Sequence, residues 1–366
     1  MAVSLNELLG DSLFQVNLLL WMLQPPNGSN IRPLLAEAGY RLRSIEETLP
    51  LSPNLIARLK RAAIVAKDNA TPDAIFTNDK AEHLIAECKA SMFGAIPPPS
   101  GNDSNQRQAR SFLLQTPGVL QSALAGSKVS AARIVYLTRH DDGHDQSQGV
   151  LALAKELKAA KLPAVDCCVW RLVEHEGGVG MIAPKRTEKW PTKVRAVCKV
   201  KRGSRAVTLI PRDENGNDIR PLYFIPWMPD SDPQPSEYNR RAFGNRVLGA
   251  AVVRVGRTAV NEDVVLKFDD LLDDVTLSVY GKWRNREAKK NLRKSVQKLL
   301  NEHLNKTSAL KNDPDGAGQS IRVKLPDDKI KAQIIKAFRD TIETEWDKPD
   351  LQGELFEQPV EEDGGG

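Results

Sequence analysis

Asp73 and Glu87 stand fourteen residues apart, and Lys89 follows Glu87 by two. Short apolar runs adjoin them, Ala74-Ile75-Phe76 after the aspartate and Leu84-Ile85-Ala86 before the glutamate. Asn78, Asp79 and Lys80 lie between the runs as turn residues, so the segment predicts a hairpin. Side chains alternate along a strand, which puts Glu87 and Lys89 on one face and Cys88 on the other, with Asp73 able to meet them from the neighbouring strand. Two carboxylates held together repel unless a cation lies between them. Hard oxygen ligands suit Mg²⁺ or Mn²⁺. Such an ion activates water and neutralises charge on a phosphodiester, and Lys89 adds a positive charge beside it. The plainer reading of the same residues is a charged hairpin in which Lys89 pairs with Glu87 or Asp73.

The flanking elements read as an α/β pattern. Leu5, Leu8, Leu9, Leu13, Val16 and Leu20 recur at helical spacing until Pro25-Pro26-Asn27-Gly28. A second helix is expected over about 32–48, then strands at 62–67, 73–77 and 83–89. Helix 106–114, strand 133–138, helix 148–158 and strand 165–173 follow, closing on a turn at Glu174-His175-Glu176-Gly177-Gly178. Beyond Pro184 the texture changes. Residues 193–201, 206–210, 222–225, 247–255 and 264–268 predict a β-rich region, and helices are expected over 282–304 and from the N-cap Asp327 to about Trp346. The organisation expected is 1–183, 184–346 and an acidic disordered tail, 347–366.

With Pro72-Asp73 and Glu87-Cys88-Lys89 in this setting, the chain resembles the PD-(D/E)xK nuclease superfamily, the restriction-endonuclease-like enzymes. The order of elements over about 32–173 is similar to that family's α-β-β-β-α-β core. The resemblance implies that Asp73 and Glu87 are metal ligands, with the main-chain carbonyl of Cys88 a third, and that Lys89 is the catalytic lysine. A further carboxylate often joins them, and Glu37, Glu46 and Glu47 are the candidates. Some members carry a glutamine on the helix after the lysine, which points to Gln106 or Gln108, Gln108 being taken as the substrate-facing one. The activity implied is Mg²⁺- or Mn²⁺-dependent hydrolysis of DNA, in genome defence or repair. The alternative is a non-catalytic nucleic-acid-binding or scaffold subunit that keeps a nuclease-like fold.

Charge fits a polyanionic partner. Between Asp340 and Gly366 ten Asp and Glu face one lysine, so a total of +5 leaves +14 on residues 1–339. From Lys282 to Lys298 there are eight Lys and Arg against Glu287 alone. Leu292, Val296, Leu299 and Leu300 give that helix an apolar side, and Arg286, Lys289, Lys290 and Arg293 form a stripe suited to phosphates. The segment 185–205 is also basic and contains Trp190. Cys88, Cys167, Cys168 and Cys198 lack zinc-finger spacing and read as reduced, mostly buried thiols. His140-Asp141-Asp142-Gly143-His144-Asp145 reads as a polar loop, and the glycines at 244, 249 and 256 as bends in strands rather than a phosphate loop. No apolar run approaches the ~18 residues of a membrane helix, and the first ten residues lack secretory-signal features, so a cytoplasmic protein is expected. Within the tail, Gln352-Gly353-Glu354-Leu355-Phe356 resembles the Q-x-x-L-F peptides that dock on bacterial sliding clamps, with Gln352, Leu355 and Phe356 as the pocket-filling residues.

Overall fold

A computed structural model describes residues 9–25, 30–89, 103–140, 146–186, 188–200, 204–212, 223–225 and 233–346. The chain divides into two compact units at residues 221 and 222. No helix among the described residues is long and apolar enough to cross a membrane.

The first unit opens with helix α1 (Ser12–Trp21), capped by the Asp11 side chain, and buries every residue from Leu13 to Trp21. A one-turn helix, α2 (Leu34–Glu37), precedes strand β1 (Tyr40–Ile45). Strands β2 (Leu49–Pro50) and β3 (Asn69–Ala70) pair with each other and flank α3 (Pro53–Arg61). Then come β4 (Ala74–Asn78), β5 (Glu82–Lys89), α4 (Ser104–Leu113), α5 (Pro117–Ala123), β6 (Ala131–Arg139), α6 (Gln146–Ala159), β7 (Asp166–His175), β8 (Gly178–Ile182), α7 (Thr192–Val197) and β9 (Ala206–Pro211). A seven-stranded sheet runs β1-β4-β5-β6-β7-β8-β9. Its two central pairings, β5–β6 and β6–β7, are parallel and the rest antiparallel. Parallel neighbours need a crossover, and α4–α5 and α6 provide the two. Leu55, Phe112, Leu113, Leu120, Val150, Leu153 and Leu157 of the helices bury against Ile75, Ile85, Ile134, Tyr136 and Val169 of the strands, making one continuous core.

Several expectations are corrected. Residues 40–45 are strand, not helix. Gly39, at φ +81°, stops the short helix, and Tyr40, Leu42 and Ser44 are buried between more exposed Arg41 and Arg43, a period of two. Residues 62–67 are turn and irregular chain after α3, which Ser52 caps and Pro53 opens, so the first strand of the meander is β1. Of the predicted strand at 193–201, residues 193–197 belong to α7 and 198–200 form no strand. Because β9 pairs with β8, the first unit extends past the boundary expected at 183 and 184. The hairpin turn at 174–178 is as expected, with Gly178 at φ +114° directly against the Ile210 carbonyl, where no Cβ fits.

The second unit is mainly helical rather than β-rich. Its described elements are α8 (Pro233–Arg257), β10 (Asp263–Lys267), α9 (Phe268–Val275), α10 (Val279–Lys282), α11 (Arg286–Leu304), β11 (Lys311–Asn312), β12 (Ser320–Lys324) and α12 (Asp328–Trp346). Residues 247–255, predicted as strand, belong to α8: Phe243, Val247, Ala251 and Val255 recur every fourth residue and all are buried. Gly244, Gly249 and Gly256 lie on that helix, so they bend no strand. Three short strands form an antiparallel sheet ordered β10-β12-β11.

Candidate active site

The predicted hairpin forms. Asn78 ties its turn by accepting the N–H groups of Lys80 and Glu82 at 3.0 Å each and donating to the Glu82 carboxylate at 2.8 Å. Ala74 pairs with Ala86, so the next residue outward on each strand sets Asp73 across from Glu87. Glu87 and Lys89 continue the Ile85 side of β5, the side covered by α4, which explains how Gln108 of α4 reaches both.

The polar groups form a closed set. Lys89 Nζ lies 2.9 Å from Glu87 Oε1 and donates to Gln108 Oε1 at 3.0 Å, while Gln108 Nε2 donates to Glu87 Oε1 at 3.0 Å. Asp73 Oδ2 accepts the Cys88 N–H at 2.6 Å. Glu87 is 5% exposed, so its charge has lost nearly all its water. Burial, and then the Asp73 charge, push its carboxyl up to about 8 against the partial relief of Lys89. Asp73 is raised too, to about 6, first by burial and further by Glu46, although the Cys88 N–H and Lys89 oppose the shift. One ammonium thus stands against two crowded carboxylates.

Of the three candidate extra carboxylates, Glu46 stands beside Asp73. It follows β1 at a left-handed φ of 51°, its N–H donates to the Asp73 carbonyl at 3.3 Å, and its charge acts on Asp73. Glu37 is held at 2.8 Å by Arg32. The Cys88 thiol is buried, and burial followed by the two carboxylates raises it well above its usual range, so it is a neutral thiol and only its carbonyl is a candidate ligand. Among the described residues no group of three or more His, Cys, Asp or Glu side chains is arranged to hold a metal. The candidate donor set is therefore two carboxylates and a carbonyl, with Glu46 beside it.

One residue was missed by sequence reasoning. Gln15 of α1 is fully buried, and its amide donates to the Lys89 carbonyl at 3.3 Å and to the Leu9 carbonyl at 2.7 Å, tying down the end of β5. The available signal was a glutamine inside an apolar helical run, where an unpaired amide is costly. Gln106, the other glutamine considered on α4, is buried and makes neither of the Gln108 bonds. Arg110, two residues after Gln108, anchors α4 by a fork onto Glu156 at 2.8 and 3.2 Å.

The other predicted positions behave variously. Arg286 and Lys290 are exposed on α11, but Lys289 sits over the Tyr280 ring at 4.0 Å and Arg293 grips Asp269, with one bond of 2.7 Å. That pair is occupied in holding the helix. Trp190 is buried, stacked on Trp170 at 5.0 Å, and donates to Glu188, which also pairs with Arg171 at 2.6 Å, so it presents no face to a base. All four cysteines are free. Residues 141–145 and the tail peptide carrying Gln352, Leu355 and Phe356 lie outside the described residues. Comparison with protein-family models, curated proteins and solved structures yields no match to this chain.

Proposed function

We propose that the first unit is a metal-dependent nuclease that hydrolyses phosphodiester bonds in DNA. The observation that carries the reading is the convergence of Asp73, Glu87, Lys89 and Gln108, in which one ammonium only partly offsets the cost of ionising two buried carboxyls. Two oxygen-bearing side chains whose charges are each resisted by burial fit a small divalent cation, and Asp73, Glu87 and the Cys88 carbonyl would hold Mg²⁺ or Mn²⁺. Bound there, the ion would neutralise phosphodiester charge and acidify water. Lys89 places a second positive charge beside the reacting phosphate, and Gln108 fixes both Lys89 and Glu87 in direction. The order α2, β1, β4, β5, α4, β6, with β2, α3 and β3 inserted after β1, supports a restriction-endonuclease-like core.

A second reading is a non-catalytic nucleic-acid-binding subunit. It is favoured by the 2.9 Å Glu87–Lys89 pair, which a purely structural hairpin would also form. Incubating the purified chain with supercoiled plasmid in Mg²⁺, Mn²⁺ or EDTA separates the two. The nuclease reading expects metal-dependent nicking or linearisation that vanishes in Asp73→Ala and Lys89→Ala. Intact plasmid under every condition, or equal cleavage by both variants, overturns it.

A further inference from the structure

In the second unit two devices hold α11 still. On one side Leu292, Val296, Leu300 and Leu304 form a buried stripe, all at most 3% exposed. On the same side, the Arg293 fork on Asp269, the Tyr280 hydroxyl on the same carboxylate at 2.7 Å and the Lys289–Tyr280 contact fasten it to α9 and α10. Near its end Lys311 of β11 donates to Asn301 at 2.8 Å and also to Asn305. The acids of α9 are engaged elsewhere as well. Arg254 of α8 meets Asp270 at 3.6 Å and Asp274 at 2.5 Å, and Asp273 accepts the Gly281 N–H at 2.7 Å.

What remains is a row of exposed cations, Arg286, Lys290, Lys294 and Lys298, spaced one per four residues, with exposed Glu287 the one acid beside them between 286 and 298. Four residues of helix rise ~6 Å and turn ~40° beyond a full turn, so the row crosses the exposed face obliquely. Among the described residues Arg286, Lys290 and Lys294 form no ion pair, and Lys298 meets Glu302 only at 3.9 Å. Exposed Asn291 borders the row, one turn after Glu287.

We propose that this edge of α11 docks on the major groove of duplex DNA, with Arg286, Lys290, Lys294 and Lys298 on phosphates and Asn291 toward base edges. A rigid helix ~10–12 Å across fits a groove ~12 Å wide, and a short sheet with a hairpin beside a helix pair is a frame that can present it. The face has no apolar residue to enter a lipid surface and no aromatic to stack single-stranded bases. An A-form RNA duplex closes its major groove to a helix, so RNA is the disfavoured ligand. Lys289 and Arg293 then serve the fold and not the ligand. The proposal names the partner of the nuclease reading, yet it stands or falls on binding alone.

The test uses the full-length Lys89→Ala chain in EDTA, so that cleavage plays no part, and a fluorescent 25-base-pair DNA duplex titrated at several salt concentrations. Replacing Lys290, Lys294 and Lys298 together by Gln is expected to lower affinity at least tenfold and to flatten the slope of log K against log salt by about 2.7, at ~0.9 per phosphate contact. The melting temperature should stay unchanged, since all three side chains are exposed. A control chain with Lys306, Lys324 and Lys329 replaced by Gln carries the same charge change and should keep most of its affinity. Equal losses in the two triple variants, an unchanged slope in the first, or equally tight binding of single-stranded DNA or duplex RNA overturns the proposal.

Discussion

Replacing Glu87 by Gln should make the metal-free protein more stable at alkaline pH while destroying the site's response to metal. An ordinary glutamate titrates near 4.5, and that of Glu87 is held at about 8. At ~1.4 kcal/mol per pH unit, ionising it inside the fold would cost about 5 kcal/mol if the whole difference belonged to this residue. Part is repulsion shared with Asp73, so the effect of this one carboxyl is smaller than that, on the order of 2 kcal/mol. The sign follows from the folded value lying above the unfolded one: the stability is fully present below pH ~4.5 and is lost as pH rises through about 8. A glutamine keeps the acceptor for Lys89 and Gln108 but has no proton to lose. Urea unfolding in EDTA should therefore show wild type and Glu87→Gln nearly equal at pH 4.5, with the variant ahead by ~2 kcal/mol at pH 9. Hydrogen exchange of the β5 amides localises the effect to the first unit. Millimolar Mg²⁺ should raise the stability of wild type at pH 8 and leave the variant unmoved. A variant that is less stable than wild type at pH 9, or a difference that does not change with pH, would refute the account of crowded, uncompensated carboxylates.

Other outcomes can be checked alongside. Lys89→Ala should slow metal-dependent plasmid cleavage by two or more orders of magnitude with an unchanged circular dichroism spectrum, and Asp73→Ala should do the same while also losing the Mg²⁺-induced rise in melting temperature. Arg171→Met should destabilise the first unit by about 3–5 kcal/mol in denaturant unfolding, because among the described residues it leaves the Glu188 carboxylate, 4% exposed, with the Trp190 donor alone. The double variant Arg171→Met, Glu188→Gln should recover most of that loss. Gln15→Leu should cost about 1–2 kcal/mol by leaving the Lys89 and Leu9 carbonyls without their amide, measured by the same unfolding.

What could be read directly from the sequence were the local regularities. The alternation around Glu87 and Lys89, the Asn78-Asp79-Lys80 turn and the four-residue spacing of Leu292, Val296 and Leu300 each depend on neighbours within a few positions, and each predicted its element. Asp73 could be matched to Glu87 because a hairpin makes their separation a matter of register. Where a segment's pattern was ambiguous, the partner decided. Residues 247–255 are rich in valine and read as strand, yet they wind as helix because one helical face has α12 and α9 to bury against. Residues 40–45 lie between charged residues and take strand form because β4 supplies the hydrogen bonds. The roles of the charged side chains needed the fold most. Lys289 and Arg293 are indistinguishable in sequence from Lys290 and Lys294, and only Tyr280 and Asp269, brought over from α10 and α9, turn the first two into fasteners. Likewise nothing near Gln15 in the chain points to Lys89, and Glu46 was one candidate among three until the fold set it beside Asp73. Those contacts exist because sheet pairing and helix packing bring remote segments together, and a burial that raises a carboxyl's pKa is a property of that assembled surrounding rather than of any local string of residues.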